Sequence, residues 1–264
     1  MRAAVCVSGI CYKDVDIRKQ IDLLKIKFPN CDFYYATWSQ YKPVFEAAFP
    51  DEQCLYFDEP TMDYHPYIDI PVDQYVSPFQ SRNTKELVAY NFDEFLKHHS
   101  KQILIHTWLA STIKDKYDII IRTRFDIEVF EDADFTPQIE DAFLNQHVHG
   151  FAGYTRNLAQ LQKHDHSTNS FYNTYVADQL IIHPASLVNT ELVTQLHQQK
   201  RLQGAEYGWY QVLVKPHGVK HTCWEGWVRK IEECRIKHIP LDAWNKGQKM
   251  LTALNGYVVT LYGS

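Results

Sequence analysis

The chain has 264 residues, 45% of them apolar, and carries 27 lysines and arginines against 32 aspartates and glutamates. This length and composition suit one large domain, or two halves that share one sheet, and they exclude an intrinsically disordered chain. The formal net charge of -5 lacks the basic excess of a general nucleic-acid binder. We therefore expect no nucleic-acid partner and favour a small anionic ligand held by a few positioned cations.

Residues 17–28 carry the clearest helical pattern of the first half, with apolar side chains at helical spacing. Asp14 or Asp16 can cap the start of this helix, and Pro29 and Asn30 end it. Around it the pattern predicts strands over residues 5–9, 32–35 and 54–57, and a short helix over 43–49. This alternation on short loops predicts an α/β fold with a mainly parallel central sheet flanked by helices on both faces.

Prolines interrupt the alternation over residues 58–82 and predict a long ordered loop. Two helices follow over 84–114, divided near residues 99–100, and residues 117–122 are typical of a buried central strand. The second half is less regular. Its strand candidates are residues 148–154, 180–183 and 219–223, its helix candidates are 185–199 and 205–214, and its mildly basic end from Trp227 is interpreted as a solvated face.

The sequence also bears on membrane insertion and on the redox state of the cysteines. No uncharged apolar run reaches the roughly 18 to 20 residues of a bilayer-spanning helix, so we predict no transmembrane segment. The short apolar stretch at residues 1–9 meets charged residues at once and is interpreted as a strand rather than a signal peptide. The six cysteines show no Cys-x-x-Cys pair and no metal-finger spacing, so we expect reduced thiols and a cytoplasmic location.

Arg122, Arg124, Asp126 and Glu128 follow the predicted central strand closely. In an open parallel sheet, ligands bind beyond the carboxyl ends of the strands. Guanidinium groups match phosphate oxygens, and carboxylates hold hard divalent cations. The spacing therefore predicts a site for a metal–diphosphate group. The alternative is that the arginines pair with neighbouring acids at a strand end.

The stretch Tyr-Asp-Ile-Ile-Ile-Arg-Thr-Arg-Phe-Asp at residues 117–126 resembles the Arg-x-Arg-x-Asp signature of certain GT-A-type glycosyltransferases. These are similar to WavE-like and related capsular and lipopolysaccharide enzymes of bacteria and large viruses. Further stretches agree with the family in order and spacing, at residues 5–9, 32–38, 101–103, 177–182 and 205–207. The resemblance implies a single GT-A-like, Rossmann-like domain. In it, residues 1–128 bind the nucleotide sugar and residues 129–264 bind the acceptor.

The resemblance implies a glycosyltransferase that moves a sugar from a nucleotide-diphosphate sugar onto a glycan hydroxyl during polysaccharide biosynthesis. It places Ser8 and Gly9 at the nucleotide, where a small or absent side chain lets backbone N–H groups approach. Arg122 and Arg124 would offset the diphosphate charge as the leaving group departs. Asp126, the one acid kept from an Asp-x-Asp metal motif, would hold Mn2+ or Mg2+ as a Lewis acid.

Four further residues each have a functional interpretation and a structural one. Trp38 would stack on the base or ribose, or simply pack in the core. Gln102 would pair with a uracil edge, or be only a polar residue at a helix start. Asp178 would be the general base that an inverting transfer requires, or a capping or turn aspartate. Glu206 is a second candidate base, or a helix-start glutamate that favours the dipole.

Several histidines have the spacing of metal ligands. His98–His99, His147-x-His149 and His164-x-His166 have ligand-like spacing without an obvious third ligand, and we interpret them as surface histidines. His217 or His221 is considered as an additional metal ligand.

One alternative function is a non-catalytic nucleotide- or sugar-binding protein of the same fold. Another is a metal-dependent phosphohydrolase, disfavoured because arginines stand where a two-metal site wants carboxylates.

Overall fold

The computed structural model describes residues 1–12, 16–62, 100–153, 160–163, 175–202 and 205–231. Most of the predicted proline-rich loop and the first of the two helices predicted over 84–114 lie outside these residues. His98, His99, His164 and His166 lie outside them as well.

The first half follows the predicted alternation of strands and helices. Asp16 caps the first helix, because its side chain accepts from the backbone N–H of Lys19 at 3.1 Å. The elements are β1 (Ala3–Gly9), α1 (Ile17–Lys27), β2 (Asp32–Trp38), α2 (Lys42–Ala48), β3 (Cys54–Phe57), a helix α3 over 100–111, and β4 (Ile119–Thr123). The prediction of a buried strand before Arg124 is confirmed.

The second half departs from the sequence pattern in several places. Its elements are β5 (Ile127–Val129), α4 (Thr136–Asn145), β6 (Val148–Ala152), β7 (Gln162–Lys163), β8 (Leu180–Pro184), α5 (Thr190–Gln198), α6 (Ala205–Trp209), β9 (His221–Glu225) and β10 (Val228–Lys230). The helix predicted from residue 185 begins later, because Asn189 accepts from the Leu192 N–H and caps it. The helix predicted over 205–214 changes to a π turn at Tyr210. The strands β5, β7 and β10 and the helix α4 are absent from the elements predicted from the sequence.

Among the described residues, one mixed sheet of eight strands has the order β3-β2-β1-β4-β8-β6-β9-β7. Strands β3, β2, β1 and β4 are parallel to one another, while β8 runs antiparallel to both β4 and β6. Strands β5 and β10 form a separate two-stranded sheet. The predicted α/β class is confirmed, with the antiparallel β8 as a departure from a wholly parallel centre.

Helices cover both faces of the sheet. On one face Ile21 of α1 and Ala142 of α4 pack in a core with Ile121, and on the other face Ile105 of α3 packs with Ile120. The five cysteines in the described ranges are free thiols. No helix within those ranges is long and apolar enough to cross a bilayer.

Candidate active site

The polar residues of the 122–126 stretch lie where the parallel strands β1 and β4 end. Thr123, the last residue of β4, pairs with Val7 on one side and with Leu180 on the other. Because β8 runs antiparallel to β4, the residues just before Leu180 lie beside those just after Thr123. The topology thus brings Asp178, from a distant part of the sequence, next to Arg124.

Arg122 is fully buried on the sheet face that α3 covers. Its NH1 group donates to the backbone carbonyl of Asp178, and its NH2 group donates to Oε1 of Gln102 at 2.8 Å. The guanidinium carbon lies 4.7 Å from the ring centroid of Trp209, a cation–π contact. Burial lowers the pKa of Arg122 to about 9; the Asp178 carboxylate opposes this shift, and Arg124 adds to it. Arg122 therefore holds the turn before β8 from the interior.

Arg124 and Asp126 form a bidentate ion pair in the turn after β4. Nε donates to Oδ1 at 2.7 Å and NH2 donates to Oδ2 at 2.8 Å, while NH1 lies 3.7 Å from Oδ2 of Asp178. All three side chains are less than a tenth exposed. Burial opposes the charge on Arg124, but Asp126 outweighs it and raises the pKa of Arg124. Burial also opposes the charge on Asp126, but Arg124 and Lys230 hold its pKa well below the usual value.

Lys230 brings a further cation to Asp126 from the late part of the chain. Strand β10 pairs with β5 so that Lys230 lies opposite Ile127, and its Nζ is 3.5 Å from Oδ2 of Asp126. The neighbouring Arg229 pairs instead with Glu128. Interpreting the basic stretch as a solvated face is therefore wrong for Lys230. We call Arg122, Arg124, Asp126, Asp178 and Lys230 the arginine cluster.

The divalent cation implied by the family resemblance would have to bind Asp126 in this setting. Mg2+ and Mn2+ take several oxygen ligands, yet both oxygens of Asp126 accept from Arg124. Removing a carboxylate from a buried ion pair costs about 3–5 kcal/mol, because the remaining charge is left unpaired. Within the described ranges, three cations of the cluster face two carboxylates. These residues do not fit a divalent cation, and the metal role of Asp126 stays a prediction without support from its neighbours.

Ser8 and Gly9 end β1 beside this cluster. Gly9 has a φ of 127°, which favours glycine, and no described atom lies within 4 Å of the position of a Cβ. Its carbonyl accepts from the hydroxyl of Thr37 at 2.8 Å. The hydroxyl of Ser8 is buried and has no hydrogen-bond partner among the described residues. Their roles at the nucleotide stay predictions.

Trp38 and Gln102 lie on the face covered by α3. Trp38 is 2% exposed and packs edge-on against Trp108, with ring centroids 6.2 Å apart. This arrangement matches the packing alternative given for Trp38. The carbonyl oxygen of Gln102 is engaged by Arg122, so this residue contacts the arginine cluster directly. Stacking by Trp38 and base readout by Gln102 stay predictions.

Asp178 is positioned by the close approach of its segment to β6. A Cβ on Gly150 would lie 2.5 Å from the carbonyl oxygen of Ala177 and 2.7 Å from its nitrogen, so only glycine fits there. The backbone N–H of Gln179 donates to the carbonyl of Phe151 at 3.1 Å. Asp178 is 5% exposed and precedes a strand, so it is not a helix cap. Its role as a general base stays a prediction.

Glu206, the second candidate base, lies in the first turn of α6. Its Oε1 accepts from the hydroxyl of Tyr175 at 3.3 Å, and its backbone carbonyl accepts from the Val176 N–H. Both contacts hold the segment that leads to Asp178. A role in proton transfer stays a prediction for Glu206 too.

A second polar cluster lies on the sheet face that α4 covers, opposite to the face that α3 covers. Oδ2 of Asp141 on α4 lies 2.8 Å from Nδ1 of His147 and 2.9 Å from Nε2 of His149. His149 is 3% exposed, so interpreting it as a surface histidine is wrong, and Asp141 supplies the third group that the sequence pattern lacked. We call Asp141, His147 and His149 the histidine cluster. By distance, these three residues could hold a metal ion.

The remaining hydrogen bonds of the histidine cluster disfavour that metal ion. The indole N–H of Trp224 donates to Nδ1 of His149 at 3.1 Å, and an indole nitrogen can only donate. Nδ1 of His149 is therefore unprotonated and Nε2 carries the proton that reaches Asp141, whereas metal ligation would need Nε2 without a proton. The Thr222 hydroxyl lies 3.0 Å from Nε2 of His147. Burial lowers the pKa of His149 to about 4, and His147 adds to this shift.

Two other candidate residues lie away from the arginine cluster. His221 begins β9 and pairs with Val148, whereas Cys223, two residues later, is level with Arg122 across β6 and β8. His217 precedes this strand and is exposed. The register therefore does not bring His217 or His221 to Asp126.

Comparison with solved structures finds mainly transferases. The chain is similar to a glycosyltransferase involved in glycosylation of the major capsid of PBCV-1, with a TM-score of 0.44, 9% identity, and coverage of 95% of this chain and 99% of that one. It is also similar to 4-diphosphocytidyl-2C-methyl-D-erythritol synthase from Anaerococcus prevotii, with a TM-score of 0.48, 7% identity, and coverage of 97% and 98%.

A third similar structure is core-mannan synthase A from Aspergillus fumigatus in its Mn/GDP form, with a TM-score of 0.42, 11% identity, and coverage of 84% and 72%. At TM-scores below 0.5, these similarities do not say what this chain does. No protein-family model matches the sequence, and a search of curated proteins finds no match.

Proposed function

We propose that the chain is a nucleotide-sugar-dependent glycosyltransferase that builds a surface or capsular polysaccharide. The observation that carries this proposal is the arginine cluster itself. A fixed guanidinium group, a lysine and a buried carboxylate meet at the carboxyl ends of β1 and β4, where α/β sheets bind their ligands. The Arg-x-Arg-x-Asp resemblance of residues 117–126 supports the same assignment.

On the donor side, Arg124 and Lys230 bind the diphosphate and stabilise its charge as the bond to the sugar breaks. Asp126 fixes the orientation of Arg124 through two hydrogen bonds, and a guanidinium group held in this way needs little reorganisation during the reaction. Ser8 and Gly9 contribute backbone N–H groups at the end of β1. The nucleoside diphosphate leaves with the electron pair of the broken bond.

On the acceptor side, Asp178 takes the proton of the attacking glycan hydroxyl. Its Oδ2 lies 3.7 Å from NH1 of Arg124, so the base and the diphosphate-binding cation belong to one site. In an in-line displacement the acceptor hydroxyl and the departing diphosphate lie on opposite sides of the sugar carbon. The new bond joins the acceptor oxygen to that carbon. Gly150 and Arg122 hold the backbone on either side of Asp178.

The alternatives predict different results in one experiment. The full chain is heated with a panel of nucleotide sugars and the parent nucleoside diphosphates, and release of nucleoside diphosphate is then followed with and without sugar acceptors. We expect stabilisation by a UDP or GDP compound together with slow donor hydrolysis that acceptors accelerate. Stabilisation without turnover would identify a binding protein instead.

Phosphate release from simple esters would identify a phosphohydrolase. The structure gives that alternative no support. Asp126 and Glu128, which would have to share metal ions, are each paired with a separate arginine.

A further inference from the structure

The diphosphate site of the proposed function is already supplied with positive charge by side chains. Arg124 and Lys230 approach the Asp126 carboxylate together, with the closest contacts at 2.7 Å and 3.5 Å. Arg122 adds a third, interior cation to the electrostatic environment of Asp126. A divalent metal at Asp126 would displace Arg124 and would be repelled by all three groups.

Arg124 also has a donor edge that points away from Asp126. Its Nε and NH2 groups are used by Asp126, while NH1 lies 3.7 Å from Asp178, beyond hydrogen-bond distance. A guanidinium group has five N–H donors, so a fixed Arg124 can bind the carboxylate and a phosphate oxygen at once. The side chain of Lys230 is a quarter exposed and lies at the same carboxylate.

We propose that this protein binds the diphosphate of its donor without a divalent metal ion, with Arg124 and Lys230 in the place of the metal and Asp126 as the residue that positions Arg124. This inference rests on the proposed function. It assigns Lys230, from strand β10, as a donor-binding residue, and it assigns Asp126 a role that requires no metal.

The test measures binding of UDP, GDP and inorganic pyrophosphate by calorimetry, in EDTA and again in excess Mn2+. The protein is the full chain, either unchanged or as Lys230→Met or Arg229→Met. Arg229→Met is the matched control because Arg229 carries the same charge one residue away, pairs with Glu128 and does not touch Asp126. Electron paramagnetic resonance of Mn2+ reports whether the ion joins the complex.

We expect a nucleoside diphosphate to bind in EDTA at least as tightly as in Mn2+, with no protein-bound Mn2+ signal. Lys230→Met should weaken this binding about tenfold or more, the usual effect of losing a charge-assisted contact, while Arg229→Met leaves it unchanged. If Lys230→Met binds as tightly as the unchanged chain, the assignment of Lys230 is wrong.

The other outcomes separate this inference from the proposed function. Binding only in Mn2+, with a bound Mn2+ signal, would overturn the metal-independent site and leave the glycosyltransferase proposal standing. Binding of pyrophosphate but of no nucleoside diphosphate in EDTA would support the cation site and overturn the proposed function. No binding of any of the three ligands in either condition would overturn both.

Discussion

The histidine cluster lies on the sheet face that α4 covers, and the arginine cluster lies at the carboxyl end of β4. Both contain a carboxylate between two nitrogen groups. Asp126 lies between Arg124 and Lys230, and Asp141 lies between His147 and His149. Their outer contacts differ. Thr222 and Trp224 contact the remaining ring nitrogens of the histidine cluster, whereas Arg124 keeps a donor edge directed away from its carboxylate. We therefore expect the arginine cluster to bind a ligand and the histidine cluster, whose ring nitrogens all have partners, to stabilise the fold.

The largest effect should come from changing one carboxylate of each cluster. Asp178→Asn should lower turnover by about a hundredfold or more, the usual share of a general base, with little change in donor affinity. Asp141→Asn should leave turnover per folded molecule unchanged and lower the free energy of unfolding by about 1–3 kcal/mol, because it disturbs the partly buried hydrogen bonds to His147 and His149. Steady-state kinetics, donor titration and denaturant unfolding of both variants make the comparison.

Two results would contradict that distinction between the clusters. If donor binding is lost together with turnover in Asp178→Asn, Asp178 belongs to the donor site or to the fold. If Asp141→Asn loses turnover while it unfolds normally, the histidine cluster takes part in the reaction.

The pH dependence of stability should reflect the buried histidines on both faces. The pKa of His149 and the pKa of His183 are each lowered to about 4, mainly by burial, and burial also holds the pKa of His106 well below its usual value. Between pH 6.5 and pH 4 the unfolded chain binds protons that the folded chain does not. The free energy of unfolding should therefore fall as pH falls through this window, by up to about 1.4 kcal/mol per pH unit for each histidine.

Denaturant unfolding across this window checks that expectation. His149→Gln keeps a donor for Asp141. It should reduce the slope of the free energy of unfolding against pH by the contribution of one histidine. The part of this slope that His106 and His183 contribute should remain. These two histidines contact each other and lie near Arg122. An unchanged slope in His149→Gln would mean that the folded protein protonates His149 readily.

The smallest expected effect is on stabilisation by Zn2+, which should depend on the tautomer of His149. Trp224→Phe removes the indole N–H that faces Nδ1, so Nδ1 can then carry the proton and Nε2 can bind a metal ion. We expect Zn2+ to raise the melting temperature of Trp224→Phe by a few degrees, roughly the effect of 1 kcal/mol in a domain of this size, and to leave the unchanged chain unaffected. Equal stabilisation of both proteins would show that the histidine cluster binds metal despite Trp224.

The sequence predicts the first half of the fold well because its signals are local. Apolar spacing and the Asp16 cap define α1, and continuous burial defines β4, so both elements are confirmed. In the second half the deciding contacts are distant in sequence. The three-residue strands β5 and β10 carry too little pattern to be recognised, and the antiparallel direction of β8 depends on its pairing rather than on its composition.

The candidate site shows the same limit. The sequence motif predicts a site at Arg124 and Asp126, and the family resemblance suggests Asp178, which the fold places beside them. Neither source identifies Lys230, because its relevance depends on which side of β10 faces Asp126. The partners of His149 were missed for a related reason, since Asp141 and Trp224 belong to a helix and a strand that only the folded sheet brings together.

The pairing of β5 with β10 also determines when the site can first exist. The contact between Arg229 and Glu128 spans 101 positions, and the same strand delivers Lys230. Contacts of such separation form late, because closing a long loop loses entropy before the contact can compensate for it. During synthesis, β1, β2, β3 and β4 are complete long before β10 leaves the ribosome. A nascent or truncated chain that ends before β10 therefore has β1 to β4 but lacks Lys230 at the proposed diphosphate site. If the proposal is right, diphosphate binding would report that β10 has paired.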